Sequence, residues 1–261
     1  MRSKQKQGHI EAILFDLDGV LYIADKIIRG AAESVLYVCS LGLPLAGVTN
    51  TTIQSRHAIA EKLAALNIPM LESDIFTPSA LAIQIIGKKT ARLYLHDSLL
   101  EEFEGIRKSA TKPDFIVMGD PGGSGYTPDL LHEIFYHVLD GATLLALHKN
   151  RCWQMPDGLH MDLGPFVAAV EYATGKNAIV LGKPSKDFFH GVCAALHASP
   201  ANTLMIGDDI ESDIGGAQVA GLKTALVQTG KYREPFVKKT GIKADLVLPS
   251  ISDLPDALKL L

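Results

Sequence analysis

Three features of other protein classes are missing from this sequence. Every apolar stretch is interrupted by Gly, Pro or a charged residue well before about 18 residues, so none could form a membrane-spanning helix. The net charge of −4, with both signs interspersed, provides no basic face for a phosphate backbone. Internal repeats and low-complexity segments are also missing. We therefore expect a globular protein that binds neither membranes nor nucleic acids.

Cysteine is scarce, and its arrangement excludes a disulfide framework. The three residues Cys39, Cys152 and Cys193 are odd in number and do not have the spacing of metal ligands. Cys39 and Cys193 each lie in an apolar context with helical periodicity, which predicts packed, reduced thiols. Reduced thiols are typical of the cytoplasm, where we expect the protein to reside.

The chain of 261 residues, 47% of them hydrophobic, is long enough for one large domain or two smaller ones. Strand patterns alternate with helical ones along its whole length, which favours parallel β-α-β units. The predicted strands are Ile10–Phe15, Leu45–Val48, Ala91–Leu95, Phe115–Met118, Thr143–Leu147, Thr203–Ile206, Thr224–Val227 and Ala244–Leu248. Helices are predicted over Ala31–Leu41, from Ser55 to about Leu66, and over Leu254–Leu260.

The middle of the chain has its own alternation of strands and helices, inserted between the first two predicted strands and the later ones. We therefore predict an α/β protein with a Rossmann-like, doubly wound parallel sheet as its core and an inserted α/β cap domain. The core is expected over 1–78 and 181–261, and the cap over 79–180.

Two carboxylates, Asp16 and Asp18, directly follow the first predicted strand. Side chains two positions apart on an extended chain point to the same side. Like charges that close repel by about 4 kcal/mol at 4 Å and an effective dielectric constant near 20. Such a pair persists where a metal or a reaction requires it. The alternative is an acidic turn that merely ends the strand.

Four polar segments follow predicted strands or begin helices, at the edge where doubly wound folds bind ligands. They are Asp16–Asp18, Thr49–Asn50, Gly182–Pro184, and Gly207–Asp209 with Asp213 further on. Each alone has a structural interpretation as a loop, a solvated lysine or a helix cap. Their combination in this order points instead to phosphoryl transfer.

Each segment contains groups that this chemistry needs. Asp16 could attack phosphorus, and Asp18 could exchange a proton with the leaving oxygen and with water. Thr49 and Asn50 could hold phosphate oxygens, and Lys183 could supply a positive charge. The carboxylates and a phosphate dianion would repel one another strongly without a divalent cation, and an oxygen-only ligand set suits Mg²⁺. Asp208 and Asp209 could help to hold that ion.

The order of these motifs resembles the haloacid dehalogenase-like hydrolase superfamily. The motifs are Asp16-Leu17-Asp18-Gly19-Val20, Val48-Thr49-Asn50, Gly182-Lys183-Pro184 and Gly207-Asp208-Asp209-Ile210-Glu211-Ser212-Asp213. A large cap between the second and third motifs is similar to the NagD-type subgroup. Four further segments resemble the phospholysine phosphohistidine inorganic pyrophosphate phosphatase branch: Lys149–Arg151, Leu163–Phe166, Glu171–Ala173 and Thr229–Tyr232.

The resemblance implies roles for single residues. Asp16 would be the nucleophile, Asp18 the general acid and base, and Lys183 the group that steadies the charge. Mg²⁺ would be held by Asp16, the backbone carbonyl of Asp18, and Asp208, with assistance from Asp209 or Asp213.

The phosphate would be bound by Thr49, Asn50, Thr51 and Lys183. The second motif departs from the Asn-Asn-Ser of many relatives, but the amide and hydroxyl of Thr51 still suit phosphate. An acid at Asp18 also disfavours dehalogenation, because dehalogenases of the superfamily lack one there.

Substrate selection is expected in the cap, where His148, Lys149, Asn150 and Arg151 follow a predicted strand. A packed histidine and solvated cations are the alternatives for these residues. The expected substrates are small phosphate monoesters, with phosphoramides and pyrophosphate as further candidates. A phosphotransferase or mutase with the same aspartyl-phosphate, and a phospho-ligand binding protein without turnover, stay open. Cap-to-cap dimers are common among similar proteins, so the resemblance admits a homodimer.

Overall fold

A computed structural model of the chain describes residues 9–155 and 158–259. These residues form two compact units. The first comprises the described chain up to Val48, Ala60–Ile75, and the described chain from Phe189 onward; the second comprises Thr49–Ile59 and Phe76–Phe188. The boundaries given above, with the cap over 79–180 and the core over the flanking chain, stay a prediction.

The strands and helices alternate along the chain. The strands are β1 (Ala12–Asp16), β2 (Tyr22–Ile23), β3 (Lys26–Ile27), β4 (Leu45–Val48), β5 (Ile75–Phe76), β6 (Thr90–Tyr94), β7 (Arg107–Lys108), β8 (Phe115–Met118), β9 (Thr143–Ala146), β10 (Cys152–Met155), β11 (Gly158–Met161), β12 (Ile179–Val180), β13 (Thr203–Gly207), β14 (Lys223–Val227) and β15 (Leu246–Leu248). The α-helices are α1 (Ala31–Ser40), α2 (Arg56–Ala65), α3 (Pro78–Ile86), α4 (Pro128–Leu139), α5 (Leu163–Thr174), α6 (Lys186–Ala195), α7 (Gly216–Val219), α8 (Glu234–Thr240) and α9 (Leu254–Leu258).

Shorter helical turns connect these elements. Turns of 3₁₀ helix cover Glu72–Asp74, Asp97–Phe103, Pro200–Asn202 and Ile251–Asp253, and a π-helical turn covers Ile210–Gly215.

A six-stranded sheet in the order β15-β14-β13-β1-β4-β5 forms the centre of the first unit. Its pairings from β4 through β1, β13 and β14 to β15 are parallel. From β1 the chain first builds outward to β4 and β5, and later outward on the other side to β13, β14 and β15. Strand β1 therefore lies at the point where the direction of winding reverses, and ligands bind beside the carboxyl end of such a strand.

The second unit has its own parallel sheet, in the order β12-β9-β8-β6-β7. Strands β10 and β11 form a separate antiparallel hairpin. Apolar residues on one side of this sheet pack against α4 and α5, which buries Ile116 and Met118 with Ile134, Val138 and Val167. Two parallel sheets with intervening helices confirm the predicted α/β class.

Most predicted elements agree with the structure to within one or two residues. The prediction of Ile10–Phe15 is displaced, because β1 begins at Ala12 and includes Asp16. The last predicted strand begins at Leu246 instead of Ala244. Helix α9 ends at Leu258, and the predicted end at Leu260 lies outside the described residues.

One of the two cysteine predictions was wrong. Cys193 is buried, with its thiol 3.7 Å from the hydroxyl of Thr203, but Cys39 is exposed. Helix α1 packs through Ser34, Val35 and Val38, and the next residue is rotated by about 100° away from that face. Among the described residues, no helix combines the length and the apolar character needed to cross a bilayer.

Candidate active site

Three buried carboxylates meet at the carboxyl edge of the six-stranded sheet. Asp16 is the last residue of β1, and Asp208 directly follows β13. Phe15 pairs in register with Ile206, so the two strands end at the same level. Asp16, Asp208 and Asp213 each offer an oxygen within 4.8 Å of the others. The sheet thus brings together acids from positions nearly 200 residues apart in the sequence.

Asp208 is held by one of its two carboxylate oxygens. The backbone amide of Lys231 donates to Oδ2 at 2.6 Å. The other oxygen, Oδ1, is buried and has no hydrogen-bond partner among the described residues. Burial, followed by the charges of Asp16 and Asp213, raises the pKa of Asp208 well above its usual range. A divalent cation at Oδ1 would satisfy this oxygen, and oxygen donors alone suit Mg²⁺.

The two other acids of the fourth motif differ in their contacts. Asp213 accepts the backbone amides of Asp208 and Asp209 on Oδ2, both at 3.1 Å. Gly207 leaves the room for this approach, because a Cβ there would lie 2.3 Å from the Asp213 carboxylate. The carboxylate of Asp213 therefore lies against the strand end, within the buried cluster.

Asp209 instead caps the π-helical turn that follows. Its Oδ1 accepts the amides of Glu211 and Ser212, both at 3.0 Å, and its Oδ2 lies 3.7 Å from the Lys231 ammonium. Burial opposes ionisation of Asp209, but Lys231 and the two amides together lower its pKa. Of the two acids that the sequence left open, the geometry places Asp213 and not Asp209 beside Asp16 and Asp208.

Asp18 lies in the turn that leaves β1. Gly19 has a φ of +90°, which favours glycine, and its amide donates to the carbonyl of Tyr22 at 2.7 Å. The residue Asp18 is exposed, in contrast to Asp16. Partial burial of its carboxyl and the charge of Asp16 nevertheless raise the pKa of Asp18. A raised pKa suits a group that must hold and release a proton near neutral pH.

Sequence reasoning assigned no role to Lys231, which interacts electrostatically with the whole acidic cluster. Although burial opposes its charge, Asp209, Asp208 and Asp16 raise the pKa of Lys231 and keep it cationic. Its position in the sequence could have indicated a role, because Lys231 follows the end of β14 at the same sheet edge as Asp16 and Asp208. The first unit thus has a fixed cation of its own.

In the second unit, Asn50 and Lys183 bind each other through a reciprocal pair of hydrogen bonds. The Asn50 side chain accepts the Lys183 amide at 2.8 Å and donates to the Lys183 carbonyl at 2.7 Å. Gly182 permits this contact, because a Cβ there would lie 2.4 Å from the Asn50 side-chain oxygen. Lys183 itself is buried. Two motifs 133 residues apart are therefore locked together by one side chain.

The remaining residues of the second motif form a compact turn. The Thr49 hydroxyl accepts the amide of Thr51 at 3.1 Å, and Thr49 is buried. The Asn50 amide nitrogen also lies 3.2 Å from the side-chain oxygen of Asn150. The structure therefore brings Asn50, Lys183 and Asn150 into one cluster of the second unit.

The other residues expected to select the substrate have partners within the second unit. His148 is buried, its Nδ1 accepts the amide of Asn150 at 3.3 Å, and its Nε2 lies 3.6 Å from Asp162. Lys149 forms an ion pair with Glu171 at 2.5 Å. Arg151 is exposed. A substrate role for these residues stays a prediction.

Family models match both ends of the chain. Residues 13–106 match the family described as haloacid dehalogenase-like hydrolase, and residues 180–254 match the HAD-hydrolase-like family. These two matches include every residue of the four motifs.

Curated proteins and solved structures resemble the chain over most of its length. Haloacid dehalogenase-like hydrolase domain-containing protein 2 of Bos taurus is 40% identical over 86% of each chain. Phospholysine phosphohistidine inorganic pyrophosphate phosphatase of Danio rerio is 33% identical over 95% of this chain and 94% of the relative.

Among solved structures, NagD of E. coli K-12 has a TM-score of 0.81 and 25% identity, covering 94% of this chain and 98% of NagD. The p-nitrophenyl phosphatase of Archaeoglobus fulgidus shares the fold, with a TM-score of 0.87 at 21% identity over 95% and 99% of the two chains. The chain therefore belongs to the haloacid dehalogenase-like hydrolase superfamily, with a Rossmann-like core and a cap, as a NagD-type member near the phospholysine phosphohistidine inorganic pyrophosphate phosphatase branch.

Proposed function

We propose that this protein is a Mg²⁺-dependent phosphatase that hydrolyses small phosphate monoesters through an aspartyl-phosphate. The observation that carries the proposal is the buried cluster of Asp16, Asp208 and Asp213 beside the exposed acid Asp18. Relatives named as phosphatases of nitrophenyl phosphate, phospholysine, phosphohistidine and pyrophosphate support this reaction class.

The proposed chemistry divides two roles between two neighbouring acids. A carboxylate oxygen of Asp16 attacks phosphorus, forming a new P–O bond as the bond to the leaving oxygen breaks. Asp18 gives its proton to that leaving oxygen and then takes one from the water that hydrolyses the aspartyl-phosphate. The raised pKa of Asp18 supports this role, because it favours the protonated form that donates to the leaving oxygen.

A resident Mg²⁺ fits the donor set of the first unit. Asp16, Asp208 through its buried Oδ1, and Asp213 would hold the ion, together with the Asp18 backbone carbonyl that the family implies. When bound, the ion would neutralise the carboxylates and the phosphate and polarise the P–O bonds.

The proposal also assigns residues to the phosphate and its leaving group. Thr49, Asn50, Thr51 and Lys183 are proposed to contact phosphate oxygens. The hydrogen bonds between Asn50 and Lys183 support this, because they fix the backbone that presents both residues. His148, Lys149 and Asn150 are proposed to influence which leaving group is accepted, and phosphoramides and pyrophosphate are candidates beside monoesters.

The test is release of phosphate from p-nitrophenyl phosphate by the purified protein. We expect steady turnover in Mg²⁺ and none in EDTA. Asp16→Asn removes the nucleophile and should lower kcat by about 10⁴-fold or more. The matched control Asp140→Asn changes an exposed acid at the end of α4 and should leave kcat unchanged.

Two outcomes would replace the proposal. Transfer of the phosphoryl group to an added alcohol in preference to water would indicate a phosphotransferase. Tight binding of phosphate without turnover would indicate a binding protein. Wild-type activity of Asp16→Asn would show that the nucleophile is wrongly assigned.

A further inference from the structure

The turn Thr229–Lys231, which follows β14, contacts both the loop that carries Asp18 and the carboxylate of Asp208. The Thr229 hydroxyl donates to the carbonyl of Gly19 at 2.5 Å, which ties the turn to the loop carrying Asp18. Two residues later, the Lys231 amide donates to Oδ2 of Asp208 at 2.6 Å. The turn therefore joins the first and fourth motifs by direct hydrogen bonds.

Glycines make this approach possible on both sides of the Asp208 carboxylate. A Cβ on Gly230 would lie 1.9 Å from Oδ2 of Asp208 and 2.5 Å from the Cα of Gly19. A Cβ on Gly19 would lie 2.0 Å from the same oxygen. Gly230 also has a φ of +56°, which a side chain disfavours. Oδ2 is thus enclosed between two backbone segments.

The two oxygens of Asp208 consequently differ. Oδ2 is hydrogen-bonded and enclosed, whereas Oδ1 is buried without a hydrogen-bond partner among the described residues. We propose that the turn Thr229–Lys231 is a positioning element for Asp208, which fixes Oδ2 and thereby presents Oδ1 to a divalent cation. This inference rests on the proposed function, because it assigns a supporting element to the metal site.

The side chain of Lys231 adds to the same arrangement. Its ammonium lies 3.7 Å from Oδ2 of Asp209, whose other oxygen caps the following helical turn. These contacts orient Asp209 toward Lys231 and the helix cap. The turn therefore contacts the two acids differently. It holds Oδ2 of Asp208, whose Oδ1 is proposed to bind the cation, and it pairs Asp209 with the Lys231 side chain.

The experiment measures Mg²⁺ binding to the full chain by calorimetry, starting from metal-free protein. Thr229→Val removes the hydroxyl that anchors the turn but keeps the shape of the side chain. We expect it to weaken Mg²⁺ binding by about 10-fold or more, the usual effect of losing a group that orients a metal ligand. The matched control is Thr240→Val, which loses a similar 2.8 Å hydrogen bond to the carbonyl of Val237 and should bind Mg²⁺ like the wild type.

A second variant tests the enclosure of Oδ2 itself. Gly230→Ala places a methyl group against Asp208 and should weaken Mg²⁺ binding by more than Thr229→Val does. Thermal unfolding in EDTA separates positioning from stability: the Tm of Thr229→Val should fall no further than that of Thr240→Val. A large fall in Tm with unchanged Mg²⁺ affinity would mean a merely structural role, and would overturn the inference.

The same titrations distinguish this inference from the proposed function. If the wild type binds Mg²⁺ and both variants bind it equally well, the positioning role is wrong while the metal site stands. If the wild type binds no Mg²⁺, the metal site of the proposed function is itself wrong, and the inference is overturned together with it.

Discussion

Two polar clusters of this chain, one in each compact unit, have opposite character. At the carboxyl edge of the six-stranded sheet, Asp16, Asp208 and Asp213 are crowded together, and burial, with the charges of Asp16 and Asp213, raises the pKa of Asp208. In the second unit, Asn50, which follows β4, and Lys183, which follows β12, bind each other through two short hydrogen bonds. The first cluster buries like charges close together. The second, which we call the brace, consists of the Asn50 side chain and the Lys183 backbone and is held by hydrogen bonds between uncharged groups.

The two clusters differ in whether their own side chains satisfy one another. Buried like charges destabilise a fold unless a counter-ion is bound, so a folded protein keeps them where a ligand or a reaction uses them. A reciprocal amide contact needs no ligand and stabilises its surroundings in every state. We therefore expect substitutions in the first cluster to change kcat and Mg²⁺ dependence, and loss of the reciprocal hydrogen bonds in the second to lower stability in addition to any loss of phosphate binding.

After that of Asp16→Asn, the largest expected effect concerns Asp18, beside the charged cluster. Asp18→Asn cannot exchange a proton and should lower kcat for p-nitrophenyl phosphate by about 10²–10⁴-fold. Thermal stability should be nearly unchanged, because the residue is exposed. Steady-state kinetics in Mg²⁺ are the measurement, with Asp140→Asn as control. A kcat within about twofold of the wild-type value would show that Asp18 is not the general acid and base.

The second prediction tests the brace. Asn50→Ala leaves the Lys183 amide and carbonyl without these partners, which should lower the free energy of unfolding by about 2–4 kcal/mol. Urea denaturation should give the same loss in Mg²⁺ and in EDTA, because the brace does not depend on the cation. The exposed Asn177→Ala is the matched control and should change little. A loss seen only in Mg²⁺ would mean that the brace belongs to the charged site.

The sequence was sufficient to predict β1 and β13, the strands that position the acidic cluster, but not β12, which precedes Lys183. Ala12–Phe15 and Phe115–Met118 are uninterrupted apolar runs that lie in fully buried strands, and such runs are readily recognised. Strands β5 and β12 contain two residues each, too few for any periodic pattern.

The sequence predicted that Asp16 and Asp208 lie at one sheet edge, but it did not predict the contacts that they make there. The rule that polar groups gather at carboxyl ends of strands indicated Asp16 and Asp208, and the same rule applied to β14 would have indicated Lys231. Whether Asp209 or Asp213 joins the cluster depends on a π-helical turn, which directs the Asp209 carboxylate to backbone amides. No spacing in the sequence predicts that turn.

The third prediction concerns the fixed cation of the charged cluster. Lys231→Met leaves the acids less compensated and should lower the free energy of unfolding in EDTA by about 1 kcal/mol, since its pair with Asp209 is only partly buried. Mg²⁺ should restore most of this loss, so the rise in Tm on adding Mg²⁺ should be larger than for the wild type. Lys231→Arg keeps the charge and should behave like the wild type. Equal losses for Met and Arg would show that packing, and not charge, explains the effect.

The smallest expected effect is a pH dependence that would distinguish the charged cluster from the brace. Burial, Asp16 and Asp213 raise the pKa of Asp208 and Lys231 opposes them, so the folded chain binds this proton more tightly than the unfolded chain. The resulting stabilisation is complete below the unfolded pKa of about 3.9 and is lost as the pH rises through the folded value. In EDTA, Asp208→Asn should therefore gain Tm relative to the wild type as the pH is raised toward neutrality. Asn50→Ala should show no such trend, because an amide does not titrate. The Tm difference between Asp208→Asn and the wild type could instead stay constant with pH. That result would mean that burial of ionised Asp208 beside the other two carboxylates does not distinguish the charged cluster from the brace.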